Sequence, residues 1–108
     1  MSGGDMEAIV TPYLDIEGVT AAALVSNDGL LVAAAGDRVD LEAAAAIAAT
    51  TLASADGLAG ELAGVRPRLV SLDLDGLGLV LAPLTGELFL LLLGTSAILG
   101  LSGHGLPV

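Results

Sequence analysis

Apolar blocks and short polar tips alternate along this chain. Residues 19–26, "VTAAALVS", and 30–35, "LLVAAA", are two short apolar runs with Asn27-Asp28-Gly29 between them. Asn and Asp tolerate left-handed backbone and bond their own main chain, and Gly takes positive φ without steric cost. The pattern predicts a β-hairpin. Before it, Met6, Ile9, Val10, Tyr13 and Leu14 recur at helical spacing and predict a helix over residues 5–16, capped by Asp5 or Ser2. Pro12 should bend or shorten that helix. After the hairpin, residues 40–62 form the longest helical candidate, with Asp40 as N-cap, Glu42 in the first turn and Gly64 as the stop. Gly57 and Gly60 each cost about 1 kcal/mol against Ala in a helix and should fray it or end it early.

Three strand-length runs follow, at residues 68–74, 77–84 and 88–93. Asp75-Gly76 and Thr85-Gly86 punctuate them, which predicts an antiparallel meander. Pro67 suits a strand start, and Pro83 a strand end or a bulge. The remainder reads as a short helix or tail. There is no internal repeat and no linker, so residues 1–108 read as one α/β domain.

The runs "LGLVLAPL" and "LFLLLL" are apolar on both faces. An antiparallel sheet built from them needs cover on both sides. The long helix can supply one cover, and the first helix with the C-terminal segment the other. The expected architecture is a three-layer sandwich, with a five-stranded antiparallel sheet between a long helix and one or two short ones. The strand at 68–74 alternates, with Ser71 and Asp73 on one face and Val70, Leu72 and Leu74 on the other. It reads as an edge strand, and unpaired edges invite a second chain.

The long helix departs from the usual pattern. From Leu41 to Ala55 its only charge is Glu42, whereas a helix packed on a sheet by one stripe normally has a polar back. Leu41, Ala45, Ala48 and Leu52 share one face. Either the helix is deeply buried within the monomer or its outer face meets a second chain; a small monomer has little with which to wrap it twice, so pairing with another copy is expected. The expected contacts are Leu41, Ala45, Ala48, Ala49 and Leu52 on the helix, with Arg68, Val70 and Leu72 on the edge strand.

Composition narrows the function. Thirteen acidic residues face three arginines and no lysine, for a net charge of −10. Nucleic-acid binding draws on Lys and Arg at phosphates, so this balance argues against it. It equally disfavours an anionic membrane surface and favours a basic protein partner. Without Cys there is no disulfide, thiolate nucleophile or zinc-thiolate site. The N-terminus has acids where a signal peptide carries bases. The uncharged stretch after Glu87 is broken by Gly94, Thr95 and Ser96 and lacks basic anchors. It reads as a buried strand rather than a membrane span. A cytoplasmic protein is expected.

Catalytic chemistry finds no footing. Asp28 has no carboxylate partner nearby in sequence, and a metal needs several convergent oxygens. The Asp73–Gly76 stretch lacks calcium-loop spacing, so its acids read as turn residues. Asp37, Asp40 and Glu42 read as helix capping. His104, the only His, cannot form a triad alone, and Ser26 and Ser71 lack a base. The glycines match no phosphate-binding fingerprint. Arg38, Arg66 and Arg68 are candidates for an arginine finger, but pairing with the abundant acids accounts for them, and none is assigned a catalytic role. No cofactor or metal is expected.

The ordered features match a known pattern. "IEGVTAAALVSNDGLLVAAAGD" resembles the opening of the Roadblock/dynein light chain domain. The matching points are Gly18-Val19, Asp28-Gly29-Leu30, the Ala-rich helix starting at Asp40, and "LAPLTGELFLLLLG". Pro12, the glycines of the long helix and the short tail depart from it. The resemblance implies a homodimer in which second helices pair on one face and third strands join two sheets. It also implies a partner, because bacterial members resemble the gliding-motility regulator of a small Ras-like GTPase. Eukaryotic members serve as dynein light chains or GTPase scaffolds. The expected function is thus a non-catalytic homodimeric regulator or platform for a small Ras-like GTPase. The alternatives are a passive dimeric adaptor with no effect on GTP turnover, or a small-molecule sensor with a cavity between sheet and helices.

Overall fold

The computed structural model describes residues 3–36 and 40–98. Helix α1, Gly3–Val10, gives way to a 3-10 turn, Thr11–Asp15. Pro12 marks the change, since it offers no N–H to an α-helical ladder. Asp5 lies inside α1 rather than capping it, and Ser2 lies outside the described residues.

Strand β1, Val19–Ser26, and strand β2, Leu31–Gly36, form the expected hairpin. The Gly29 N–H bonds Ser26 O at 2.9 Å, and Leu30 N–H bonds Ser26 Oγ at 3.1 Å. Gly29 has φ +88, and a Cβ there would stand 3.1 Å from Ala46 Cα. The turn therefore needs glycine twice, for its backbone and for the helix that crosses it.

Helix α2 spans Leu41–Ala63. Asp40 caps it, its Oδ1 accepting the Ala43 N–H at 3.1 Å. Gly64 ends it in the left-handed conformation, φ 67. The helix neither frays nor stops at Gly57 or Gly60, contrary to expectation. Both lie inside a helix whose two ends are held by caps.

Strands β3 (Val70–Asp73), β4 (Leu77–Pro83) and β5 (Leu88–Thr95) form the meander. Strand β3 is shorter than expected at both ends: Arg68 and Leu69 stand before it, and Leu74 belongs to the turn, its N–H bonding Leu77 O at 2.7 Å. Asp75 (φ 60) and Gly76 (φ 96) turn the chain between β3 and β4, the two positive φ values a type I′ turn requires. The sheet order is β2-β1-β5-β4-β3, antiparallel throughout. β2 and β3 are thus the edges, and β3 is the edge the alternation predicted.

The two strands that are apolar on both faces occupy the middle. Phe89 and Leu91 of β5 pack with Ala23 and Val25 of β1 beneath α2. Leu90 and Leu92 face the other way, with Leu24, Val10 and Ile98. Tyr13, Leu14 and Ile16 complete that second layer. A 3-10 turn at residues 96–98 brings Ile98 under the sheet. The result is the expected three-layer sandwich.

Candidate interaction surfaces

Helix α2 presents a different face from the one expected to meet a partner. Leu41, Ala45, Ala48, Ala49 and Leu52 are buried against the sheet of their own chain, in the cluster containing Leu81, Phe89 and Leu91. They are core residues, and this corrects their assignment as outward contacts. The reason is physical: α2 carries two apolar stripes, and hydropathy does not say which one the sheet takes. The second stripe stays uncovered. Ile47, Leu58 and Leu62 are 68%, 60% and 77% exposed. Their spacing, bridged by Thr51, puts them on one flank of α2. No residue beyond Leu52 in this helix is buried.

The α2 side of the sheet carries apolar surface of its own. Leu77, Leu79 and Leu81 alternate on the α2 side of β4, and Leu72 pairs with Leu79. Leu81 is buried, Leu79 and Leu72 are half-buried, and Leu74 and Leu77 are exposed. On β3, Arg68 precedes the strand and is exposed, while Val70 and Leu72 are half-buried. The helix is long and apolar enough to cross a membrane by length and composition. One face of it packs on the sheet, through Leu41, Ala45, Ala48, Ala49 and Leu52, and the flank of Ile47, Leu58 and Leu62 is uncovered.

Among the described residues no group of three His, Asp or Glu side chains converges. Asp28 is exposed at the turn. The residue beside it does more. Asn27 donates its backbone N–H to Glu87 O at 2.9 Å and its Nδ2 to Gly86 O at 2.7 Å. It latches the β1–β2 turn to the β4–β5 turn, a long-range role with no signal in local sequence. Arg38, Asp37 and His104 lie outside the described residues.

Beside these turns lies a cleft of about 190 Å³, walled by Leu52, Pro67 and Pro83, with Asn27, Asp56 and Arg66 at its rim. Arg66 Nε lies 3.2 Å from Asp56 Oδ1. The cleft is smaller than the roughly 300–1,000 Å³ of small-molecule pockets.

The sequence model of the Roadblock/LC7 domain matches residues 6–94. The chain belongs to the Roadblock/LC7 family. No curated protein matches it in sequence. Among solved structures, Myxococcus xanthus MglB superposes with TM-score 0.80 at 16% identity, covering 90% of this chain and 80% of that one. A Roadblock/LC7 domain from Streptomyces avermitilis gives 0.75 at 24% identity, covering 88% and 85%. An MglB with a tetrameric arrangement gives 0.79 at 18% identity, covering 88% and 74%. At these identities the likeness is one of fold. It extends over the five-stranded sheet and its helices, so the order of elements read from the sequence is that of the Roadblock domain.

Proposed function

We propose that this Roadblock domain is a cytoplasmic, non-catalytic homodimer that serves as a regulator or platform for a small Ras-like GTPase. The observation that carries the dimer is the uncovered flank of α2. Ile47, Leu58 and Leu62 form an exposed apolar stripe on α2, and half-buried leucines lie on the α2 side of the sheet. Large contiguous apolar patches on a small soluble protein mark interaction sites. A second copy brings the same stripe, and two-fold pairing lets each stripe cover the other. The edge strand β3 lies on the same side, and its Arg68, Val70 and Leu72 are kept from the expected interface. The helix part of that interface moves from the Leu41–Leu52 face to Ile47, Leu58 and Leu62.

Family membership supports the GTPase partner, and the fold shared with MglB is in keeping with it. The acidic surface suits a partner with basic patches. Light scattering of the purified chain should give about 21 kDa, twice the 10.5 kDa of one copy. A pull-down with a Ras-like GTPase encoded beside it, loaded with a non-hydrolysable GTP analogue, should retain the dimer. A monomer at micromolar concentration removes the first half of the proposal. No retention in either nucleotide state removes the second. Turnover assays then separate a regulator, which changes GTP hydrolysis, from an adaptor, which does not.

A further inference from the structure

The cleft beside the two turns lies on the flank of α2 away from the exposed stripe. Ala49, Ala53 and Asp56 line it, and on a helical wheel they stand roughly opposite Ile47, Thr51 and Leu58. Covering the stripe therefore leaves this flank of α2 open, and the cleft can be tested without the GTPase. We propose that this cleft seats an arginine side chain from a protein partner.

Size limits the occupant. At about 190 Å³ the cleft falls below the roughly 300–1,000 Å³ of small-molecule pockets, which suits one long side chain. Its walls suit an aliphatic stem. Leu52, Pro67 and Pro83 offer apolar surface, and neither proline has an N–H to donate.

The rim chemistry selects the head group. Asn27 already spends Nδ2 on Gly86 O, which leaves its Oδ1 as an acceptor. Thr85 Oγ1 accepts the N–H groups of Glu87 and Leu88, so it offers no further lone pair. Asp56 is a carboxylate whose Oδ1 takes only Arg66 Nε, and Oδ2 has no hydrogen bond among the described residues. The open acceptors at the rim are Asn27 Oδ1 and the Asp56 carboxylate. A guanidinium, with five donors and no acceptor, can meet both at once.

The chain itself supplies a stand-in. Arg66 reaches Asp56 through Nε alone, and its side chain is 81% exposed. Such exposed pairs are weak. An arriving arginine can present its paired N–H fork to both oxygens of Asp56. Arg66 is then a replaceable occupant of this carboxylate, and the net charge of −10 draws the cation in.

The test is an NMR titration of the full ¹⁵N-labelled chain with N-acetyl-arginine amide. N-acetyl-citrulline amide, the same shape without charge, and N-acetyl-lysine amide are the comparisons. Saturable shifts at Leu52, Ala53, Asp56 and Gly86 are expected with arginine, and none that saturate with citrulline. Asp56→Asn should abolish saturation, while Arg66→Ala should tighten binding by up to about five-fold, the span of an exposed pair. Amide spectra unchanged away from the cleft confirm folding of each variant. Should Asp56→Asn fail to fold, Arg66→Ala and the citrulline comparison decide. Equal binding of citrulline, unsaturable shifts spread over the acidic surface, or parent-like binding by Asp56→Asn overturns the site. Lysine binding as tightly as arginine overturns the choice of side chain, and weaker binding by Arg66→Ala overturns the displacement.

Discussion

Two adjacent residues of α2, Ala48 and Ile47, give the sharpest test of which stripe faces which way. Ala48 is 4% exposed, within the cluster of Phe89, Leu91 and Leu81, whereas Ile47 is 68% exposed. The same substitution to aspartate should do opposite things at the two sites. In Ala48→Asp a carboxylate enters an apolar cluster with no partner, at a cost of order 3–5 kcal/mol. Set against a typical total of about 5–15 kcal/mol, that is enough to lower the urea midpoint severely. Burial disfavours the charged form, so the folded-state pKa of the new aspartate rises above its unfolded value of about 3.9. The folded state then binds more protons, and stability falls as pH rises from that value towards the folded pKa. Ala48→Asp should therefore recover part of its loss at pH 4.

In Ile47→Asp the fold of one chain should change little, because surface substitutions usually stay within about 0.5 kcal/mol. Association should suffer instead. Burying a whole isoleucine yields about 1.5–3 kcal/mol, and two-thirds of this one remains to be covered. Counting both copies in a symmetric pair, the loss is about 2–4 kcal/mol, or roughly 30- to 1,000-fold in dissociation constant. Urea unfolding and light scattering read the two quantities separately. A dimer unchanged by Ile47→Asp would refute the stripe as the contact. An Ala48→Asp chain as stable as the parent would refute the packing of α2 on the sheet.

The turns and the helix interior give two further expected outcomes. Asn27→Ala removes the 2.7 Å bond to Gly86 O, and should cost about 0.5–1.5 kcal/mol in urea unfolding. Faster amide exchange in both turns should accompany the loss. Gly57→Ala and Gly60→Ala should each stabilise a single chain by up to about 1 kcal/mol, since no atom lies within 4 Å of the added Cβ at either site. Thermal melts of each variant in the Ile47→Asp background read that gain without the dimer.

The sequence displayed most of the fold because its punctuation is local. Asn27-Asp28-Gly29, Asp75-Gly76, Asp40 and Gly64 each act on their own backbone, and each stands at the turn or helix end its chemistry predicts. The two-sided apolar runs located the central strands for the same reason. What stayed hidden was relational. Which stripe of α2 meets the sheet depends on how the whole helix docks. Both stripes are apolar, so the pattern alone points to the more regular one as the partner face, and the sheet takes that one instead. The latch from Asn27 to Gly86 spans 59 residues, and no local pattern announces it. The cleft is assembled from the helix, two turns and the segment before β3, so it too becomes visible only once they meet.

The two edges of the sheet sharpen the reading of that surface. Strand β2 carries a register shift opposite Leu24 and Val25. Bulges of this kind blunt an edge against pairing. Strand β3 runs in unbroken register from Val70 to Asp73 beside β4, and no strand lies beyond it among the described residues. It is short, and it is protected neither by a bulge nor by proline within the strand. If the uncovered stripe of α2 only made the chain sticky, nothing would require the sheet to treat its edges differently. The difference between the edges, with the stripe on the face shared by Val70 and Leu72, gives the proposed dimer a direction. In that dimer a second copy would approach along β3 with its own stripe facing α2, and the register shift in β2 would disfavour the same pairing on the far side.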